Sequence, residues 1–366
     1  MADKRRGEKH DHQRHLIGKL IFTAVLAAAF LAAGYAARLW TQTKTAVAKT
    51  YEVAKTKEGK TVTYHSDIDG TKPLSILLLG TDTGAFGRTE TNGRTDAMIL
   101  VTIDPKAQHT TMTSLPRDML SVMADSGDMT GQFAKLNAAY AYGGASASIQ
   151  TVHDYLNVPI NKYVVVNMSG LAKIVDAVGG IDIDVKFGWT DKDVGNQTFV
   201  KGKQHVNGKR ALAYARMRHE DPEGDNGRAK RQQEVIEAIV KKALSASSLS
   251  NYENVMASLS ATMRTDLSFD DLLAIAAKYR AAASNITKDA IKATGAWVTD
   301  GSGMQSAYQV ATNAELQRVS DAIRKELGLA STPLTGKVIE ENKLNAANGM
   351  PLGDGGNPIY TLYNVQ

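Results

Sequence analysis

The 366-residue chain contains no cysteine, which excludes a disulfide framework, a thiolate metal site and a thiol nucleophile. Aromatic residues make up only 6%, and the sequence holds no GxxxxGK[S/T] loop, no GxGxxG fingerprint and no internal repeat. Nothing therefore points to a bound nucleotide. Neither sign of charge dominates: 43 Lys and Arg stand against 38 Asp and Glu, a formal net charge of +5. That surplus suits nucleic acid, an anionic membrane surface or a phosphorylated substrate equally, so the position of the basic residues matters more than their number. With 43% hydrophobic and 22% charged residues, the balance is that of an ordinary globular protein, and the length accommodates one large domain with flanking segments.

Long apolar runs are scarce too, and the one that exists is informative. Residues 20–37, LIFTAVLAAAFLAAGYAA, are 18 in number and uncharged; as a helix they span about 27 Å of a hydrocarbon core about 30 Å thick. Lys4, Arg5, Arg6, Lys9, Arg14 and Lys19 precede the run against Asp3, Glu8 and Asp11, the sign expected of a cytoplasmic flank. Arg38 and Trp40 follow where interfacial anchors belong. A cleaved signal peptide is the rival reading, but it has a shorter apolar stretch and a small-x-small cleavage site, which is not evident here. His10, His12 and His15 read as part of a solvated tail. The expected organisation is a basic cytoplasmic stub at 1–15, a single-pass signal-anchor at 16–40, an extracytoplasmic stalk at 41–72, a domain at 73–330 and a flexible Gly/Asn/Pro-rich tail at 331–366.

Between 73 and 330 short β-branched runs alternate with amphipathic segments, which predicts a layered α/β domain. Strands are expected at 74–79, 97–103, 110–115, 162–167, 181–185 and 290–298. Helices are expected at 134–142, 145–156, 169–178, 207–214, 228–246, 268–284 and 313–327. Asp82 follows the first strand, Arg94 and Asp96 precede the second, and Arg117 and Asp118 follow the third. If neighbouring strands pair antiparallel, as the short Asp104-Pro105 connection favours, these charges converge on one edge of the sheet. Two carboxylates without Cys or clustered His suit Mg²⁺ or Mn²⁺ better than zinc. A second concentration of charge begins at Tyr214, YARMRHEDPEGDNGRAKRQQ. Arg228 and Gln232 are four apart on one helix face, Asp225 or Asn226 can cap that helix, and with Arg216 and Arg218 its amino end forms a candidate phosphate cradle. The plain alternative is a solvated charged helix, the reading given to Lys230, Lys241 and Lys242. His219, beside Glu220 and Asp221, reads as incidental.

Taken in order, LLLGTD, GRTDAMILVTIDP, SLPRD, KLNAAYAYGG, IVDAVGGIDIDV and YARMRHEDPEGDNGRAKRQQ resemble the LytR-CpsA-Psr family of cell-envelope proteins over roughly residues 73–330. The resemblance implies an αβα sandwich with a central mixed β-sheet and an apolar pocket for a polyprenyl tail. It implies a Gram-positive, membrane-anchored enzyme that transfers a phosphorylated glycopolymer, such as teichoic acid or capsule, from undecaprenyl pyrophosphate to peptidoglycan. By the same resemblance Asp82 and Asp96 hold Mg²⁺, with Mn²⁺ as the alternative. Arg94, Arg117, Arg216, Arg218, Arg228 and Gln232 bind the pyrophosphate. Arg117, Asp96 and Asp118 are the catalytic candidates, a carboxylate assisting deprotonation of the acceptor. Gly84 stands near where many members carry an arginine, and Asn226 where an aromatic is usual. Two further readings are a polyprenyl-pyrophosphate phosphatase and a non-catalytic glycopolymer-binding regulator. Nucleic acid is not an expected partner, because the arginines are interleaved with carboxylates and the anchor places them outside the membrane. The Ala-rich faces of 169–178, 232–244 and 268–284 read as core, or as the lining of a lipid tunnel. Oligomeric state is not legible.

Overall fold

The computed structural model describes residues 41–363 apart from 42–43, 46, 85–92, 219, 244–261, 301 and 351–357. The expected stub and anchor, and His219, lie outside the described residues. Among the described residues no helix is long and apolar enough to cross a membrane.

The chain opens with β1 (Leu74–Thr81), β2 (Thr95–Asp104), β3 (His109–Ser114), and the short β4 (Leu120–Val122) and β5 (Phe133–Lys135). Then come α1 (Ala138–Leu156), β6 (Lys162–Asn167), α2 (Met168–Ala177), β7 (Ile181–Val185), β8 (Trp189–Thr190), β9 (Thr198–Phe199) and β10 (Gly202–Val206). Helices α3 (Gly208–Arg216) and α4 (Asp225–Ala243) lead to β11 (Met263–Thr265), α5 (Phe269–Lys278) and β12 (Ile286–Ala290). The remainder is β13 (Thr294–Thr299), β14 (Gln305–Val310), α6 (Asn313–Glu326), α7 (Lys337–Ala347) and β15 (Ile359–Thr361).

The centre is a six-stranded mixed sheet in the order β11-β6-β1-β2-β3-β12. Its inner strands are apolar at successive positions because both faces are covered. Leu77, Leu79, Met98 and Leu100 face α1 and α6 through Ile149, Val152, Leu316 and Val319. Leu74, Ile76, Ile99, Val101 and Ile103 face the opposite way, toward Ile236 of α4 and Ile275 of α5. The expected mixed α/β layering is therefore present. A second core, with Val175, Ile183, Val206, Leu212 and Val235, joins α2, β7, β10, α3 and α4 beside the sheet.

Strand direction places the functional edge. β1 is antiparallel to β2, and β2 to β3, while β6 and β12 run parallel to β1 and β3 respectively. The carboxyl ends of β1, β3, β6 and β12 and the amino end of β2 thus share one edge. The β2–β3 turn is held by the Asp104 carboxylate, which accepts from the N–H groups of Lys106 (2.8 Å) and Ala107 (3.0 Å).

Several expectations are corrected. Residues 133–135 are strand rather than helix, pairing with β4. Of the two helices expected at 134–142 and 145–156, the first starts only at Ala138; the expected break between them is present inside α1, where Gly143 and Gly144 leave helical geometry. The run 290–298 divides between β12 of the main sheet and β13 of a second sheet, ordered β14-β13-β15, because the chain turns away at Ile291, whose N–H bonds the Ser114 carbonyl at 3.1 Å. The helix expected to run to 284 ends at Lys278, followed by a 3₁₀ turn at Ala282–Ser284. The 41–72 segment is no free stalk: Val47, Thr50, Ala54 and Val62 are buried, and the Glu52 N–H donates to the Thr265 carbonyl at 2.8 Å, covering the otherwise open edge of β11. Nor does a flexible tail begin at 331. Helix α7 inserts Val338 and Ile339 into the main core. Tyr360 of β15 is fully buried with its hydroxyl on Asn342 Oδ1 at 2.8 Å. One apolar pair and a tyrosine outweigh the Gly/Asn/Pro composition between them.

The connection from α3 to α4 is pinned by one arginine. Arg231 of α4 donates from Nε to the Tyr214 carbonyl (3.1 Å) and from Nη2 to the Met217 carbonyl, and its Nη1 pairs with Asp221. The two side chains are only 8% and 4% exposed. Gly227 lies against this pair, and a Cβ there would stand 1.8 Å from the Asp221 carboxylate. Burial raises the Asp221 pKa, but the Arg231 guanidinium and the Glu223 N–H outweigh it, leaving the carboxyl below its ordinary range.

Two predictions arise. Ending the chain at residue 330 should yield a protein that aggregates or melts early, and Tyr360→Ala alone should cost about 3–5 kcal/mol in chemical denaturation; a truncated chain with an unaltered melt contradicts this packing. Asp221→Asn, which leaves the Arg231 charge buried, should cost about 3–5 kcal/mol at neutral pH. Because the folded carboxyl has the lower pKa, the pair's contribution is complete above the ordinary carboxylate range and lost as pH falls through it, below about pH 4. Stability-versus-pH curves of wild type and Asp221→Asn should therefore converge on acidification, and parallel curves contradict the assignment.

Candidate functional site

Asp82 leaves the sheet just after a register shift between Gly80 and Thr81. Its backbone N–H donates to the Arg94 carbonyl (3.1 Å) and its Oδ1 accepts from the Arg94 N–H (3.0 Å), fixing the carboxylate beside the start of β2. Gly84 follows at φ +77°, and a Cβ there would stand 2.4 Å from Asn167 Nδ2. Asn167 is the N-cap of α2, so position 84 tolerates no side chain in this arrangement.

Arg117 follows Pro116 at the end of β3. Its carbonyl accepts from the Asn137 N–H at 3.0 Å, which ties the turn to the start of α1. The guanidinium is 19% exposed and touches three carboxylates: Nη1 lies 2.5 Å from Asp96 Oδ1, and Nε lies 3.4 Å from Asp118 and 3.9 Å from Asp225. Lys135 holds the other oxygen of Asp118 at 3.1 Å. Asp225, the first residue of α4, gathers the arginines of the second motif, with Arg218 Nε at 2.8 Å and Arg228 Nη2 at 3.2 Å. The two charge clusters of the sequence thus meet at Asp225.

The electrostatics of the two buried guanidinium groups differ. Burial works against the Arg117 charge, but Asp96, Asp118 and Asp225 more than offset it, and its pKa is raised. Arg228, 11% exposed, is lowered by burial first and by the like charge of Arg117 second, against the weaker help of Asp225 and Asp96. Burial and a like charge thus both act against the Arg228 cation, and Asp225 and Asp96 only partly counter them.

Two depressions open at this point. The smaller, about 840 Å³, is lined by Asp82, Arg94, Asp96, Arg117, Asp118 and Arg218, among others. The larger, about 1250 Å³, includes Arg228 and Gln232 with apolar Met98, Leu115, Ala229 and Ile291. Asp96, Arg117, Asp225 and Gln309 border both. Of the site residues expected from sequence, Arg216 alone lines neither; its Nη1 is directed at the Met168 sulfur at the start of α2. Sequence reasoning missed Asp225 as the hub, although it was legible as a helix cap, and missed Arg231 and Asp221, the pair that positions the loop.

Asp82, Asp96 and Asn137 all line the smaller depression, and the buried Asn137 Oδ1 has no hydrogen-bond partner. Among the described residues no group of three or more His, Cys, Asp or Glu could hold a metal. Two carboxylates and an orphaned amide oxygen are hard donors that fit a Mg²⁺ completing its shell with water and substrate phosphate.

Comparison with known proteins agrees with the fold. The LytR_cpsA_psr family model matches residues 37–325. The polyisoprenyl-teichoic acid–peptidoglycan teichoic acid transferase TagU of Enterococcus faecalis is 40% identical over 308 residues, covering 84% of this chain and 96% of that protein. Biofilm regulatory protein A of Streptococcus mutans is 41% identical over 290 residues, covering 77% and 69%. A crystal structure of a Streptococcus agalactiae protein superposes with a TM-score of 0.64 at 39% identity, covering 73% of this chain and 92% of that one. TagT bound to LIIa-WTA superposes with a TM-score of 0.60 at 26% identity, covering 75% and 99%. The chain belongs to the LytR_cpsA_psr family.

Proposed function

We propose that this chain is a membrane-anchored transferase that moves a phosphorylated glycopolymer from polyprenyl pyrophosphate to a peptidoglycan sugar hydroxyl on the outer side of the membrane. The observation that carries the reading is the meeting of Arg117, Arg218 and Arg228 at Asp225, where the two depressions join. Guanidinium forks match the oxygens of a diphosphate in geometry and charge. The names of the relatives support a polymer-linked substrate: TagU is a teichoic acid transferase, and TagT was crystallised with LIIa-WTA. The larger depression has the largely buried Met98, Leu115 and Ile291, with Ala229, in its wall next to the arginines, where opening would be required to admit the first isoprene units behind a diphosphate.

In this reading Arg117, Arg218 and Arg228 grip the diphosphate, and Arg94 and Gln232 flank it. The acceptor oxygen bonds to the glycan-linked phosphorus as the bond from that phosphorus to the polyprenyl phosphate oxygen breaks in line. Polyprenyl phosphate departs with the bonding electrons. The hydroxyl proton passes to Asp96 or Asp118, which lie beside Arg117 and Lys135 respectively. Asp82 and Asp96 would hold Mg²⁺, or Mn²⁺, which supplies further neutralisation of the phosphate charge when bound. Positioning and charge stabilisation suffice for such chemistry, and the pyrophosphate bond supplies the driving force without a nucleotide.

Full-length protein incubated with Mg²⁺ and a polyprenyl-pyrophosphate-linked polymer should release polyprenyl phosphate. Arg117→Ala should lower that rate about 100-fold or more, and Asp82→Ala should raise the Mg²⁺ concentration needed. Release that requires peptidoglycan fragments identifies transfer, and release to the same extent without them identifies a phosphatase. Wild-type rates in folded Arg117→Ala and Asp82→Ala proteins reject the mechanism.

A further inference from the structure

The reaction needs a second substrate, and the second sheet offers a surface for it. Strand β14 docks on the Arg117–Asp118 turn, the Gln309 N–H donating to the Asp118 carbonyl at 2.8 Å. Its Ala307 and Gln309 line the smaller depression. Residues directly paired across strands project from the same face of a sheet. Ala307 is paired with Trp297 of β13, and Trp297 with Ile359 of β15. β14 borders the depression edge-on, with Tyr308 lining it from the opposite face, and its Ala307 face continues across two more strands, about 10 Å at the usual strand spacing.

Its composition is selective. Trp297 is 45% exposed and Ile359 60% exposed, whereas the opposite face, with Ala296, Val298 and Tyr360, is packed into a core. None of the residues of β13, β14 and β15 is charged. Gln305 and Thr299 place an amide and a hydroxyl beside the exposed indole, 3.3 Å from each other. An aromatic plane flanked by neutral amides and hydroxyls binds a sugar ring by stacking on its C–H face and hydrogen bonding its rim. A polyanionic polymer or an anionic membrane surface calls for Lys and Arg, which these strands lack.

We propose that this face is the acceptor subsite, where the N-acetylhexosamine strand of peptidoglycan lies across Trp297 and Ile359 and leads one hydroxyl past Ala307 into the smaller depression. The assignment rests on the transferase reading for its role in catalysis. The surface itself can be tested without turnover. Of the three tryptophans in the chain, Trp40 lies outside the described residues and Trp189 is buried and stacked on Phe199, so the part of the response lost in Trp297→Ala reports a saccharide at this face.

The full-length protein in detergent is titrated with soluble, peptide-free peptidoglycan glycan strands while tryptophan fluorescence is followed, and binding is measured in parallel by calorimetry. Trp297→Ala, at an exposed position, should fold as wild type, weaken strand binding about tenfold and raise the acceptor KM by a similar factor. Trp297→Phe should restore most of the affinity. Unchanged strand affinity in Trp297→Ala overturns the proposal, as does a wild-type response to anionic vesicles but not to strands. Trp297-dependent strand binding in a protein that releases no polyprenyl phosphate supports the saccharide surface and rejects the transferase reading instead.

Discussion

The site depends on a conflict of charge held in place by one carboxylate. Arg117 and Arg228 are mostly buried and close enough for each to disfavour the charge of the other, and Asp225 lies between them. Placing two guanidinium groups in a low-dielectric edge is costly without compensation. Asp96 and Asp118 offset the cost at Arg117, and Asp225 is the one carboxylate that meets both guanidinium groups. Asp225 gives the arginine cluster a defined shape, and in the proposed function a diphosphate would share those arginines.

The rest of the fold serves to bring those groups together. The mixed sheet aligns five strand ends on one edge, which supplies Asp82, Asp96 and Arg117 from segments rigid enough to hold them. Arg218 and Arg228 come from a different core, and the α3–α4 connection crosses to the sheet edge only because Arg231 and Asp221 fasten it from inside. Glu234 adds a second fastening, accepting from the Asp184 N–H at 2.9 Å and the Tyr214 hydroxyl at 2.7 Å. Precision at the arginines is thus inherited from buried polar bonds elsewhere. The second sheet, completed by the last strand of the chain, extends the same edge with an uncharged surface, so the cationic and neutral sides of the site come from separate parts of the sequence.

Much of this was readable before any coordinates. The short link after Asp104 forces β2 and β3 antiparallel, and that alone brings Asp96 and Arg117 to one end. Arg228 and Gln232 share a helix face by their spacing. Other features were masked by the level at which a sequence speaks. Asp225 looked like a helix cap because capping is local, whereas its contact with Arg117 joins positions more than a hundred residues apart. Arg231 sits beside Lys230, which reads as solvated, and outside the four-apart pair of Arg228 and Gln232, so only the tertiary packing of α4 reveals that it is buried. The Gly and Pro content of residues 331–366 reads as a tail, yet Val338 and Ile339 join the main core and Tyr360 the core beneath the second sheet. The break between β12 and β13 was hidden because the apolar pattern runs across it, and only sheet membership separates the two strands.

The most direct test of the central claim is a crystal structure of the protein with polyprenyl pyrophosphate bound. The account predicts phosphate oxygens within hydrogen-bond reach of Arg117 and Arg228, the isoprenoid chain entering the larger depression, and the Asp225 carboxylate drawn away from at least one arginine. A diphosphate seated elsewhere, with the Arg117–Asp225–Arg228 contacts unaltered, contradicts it.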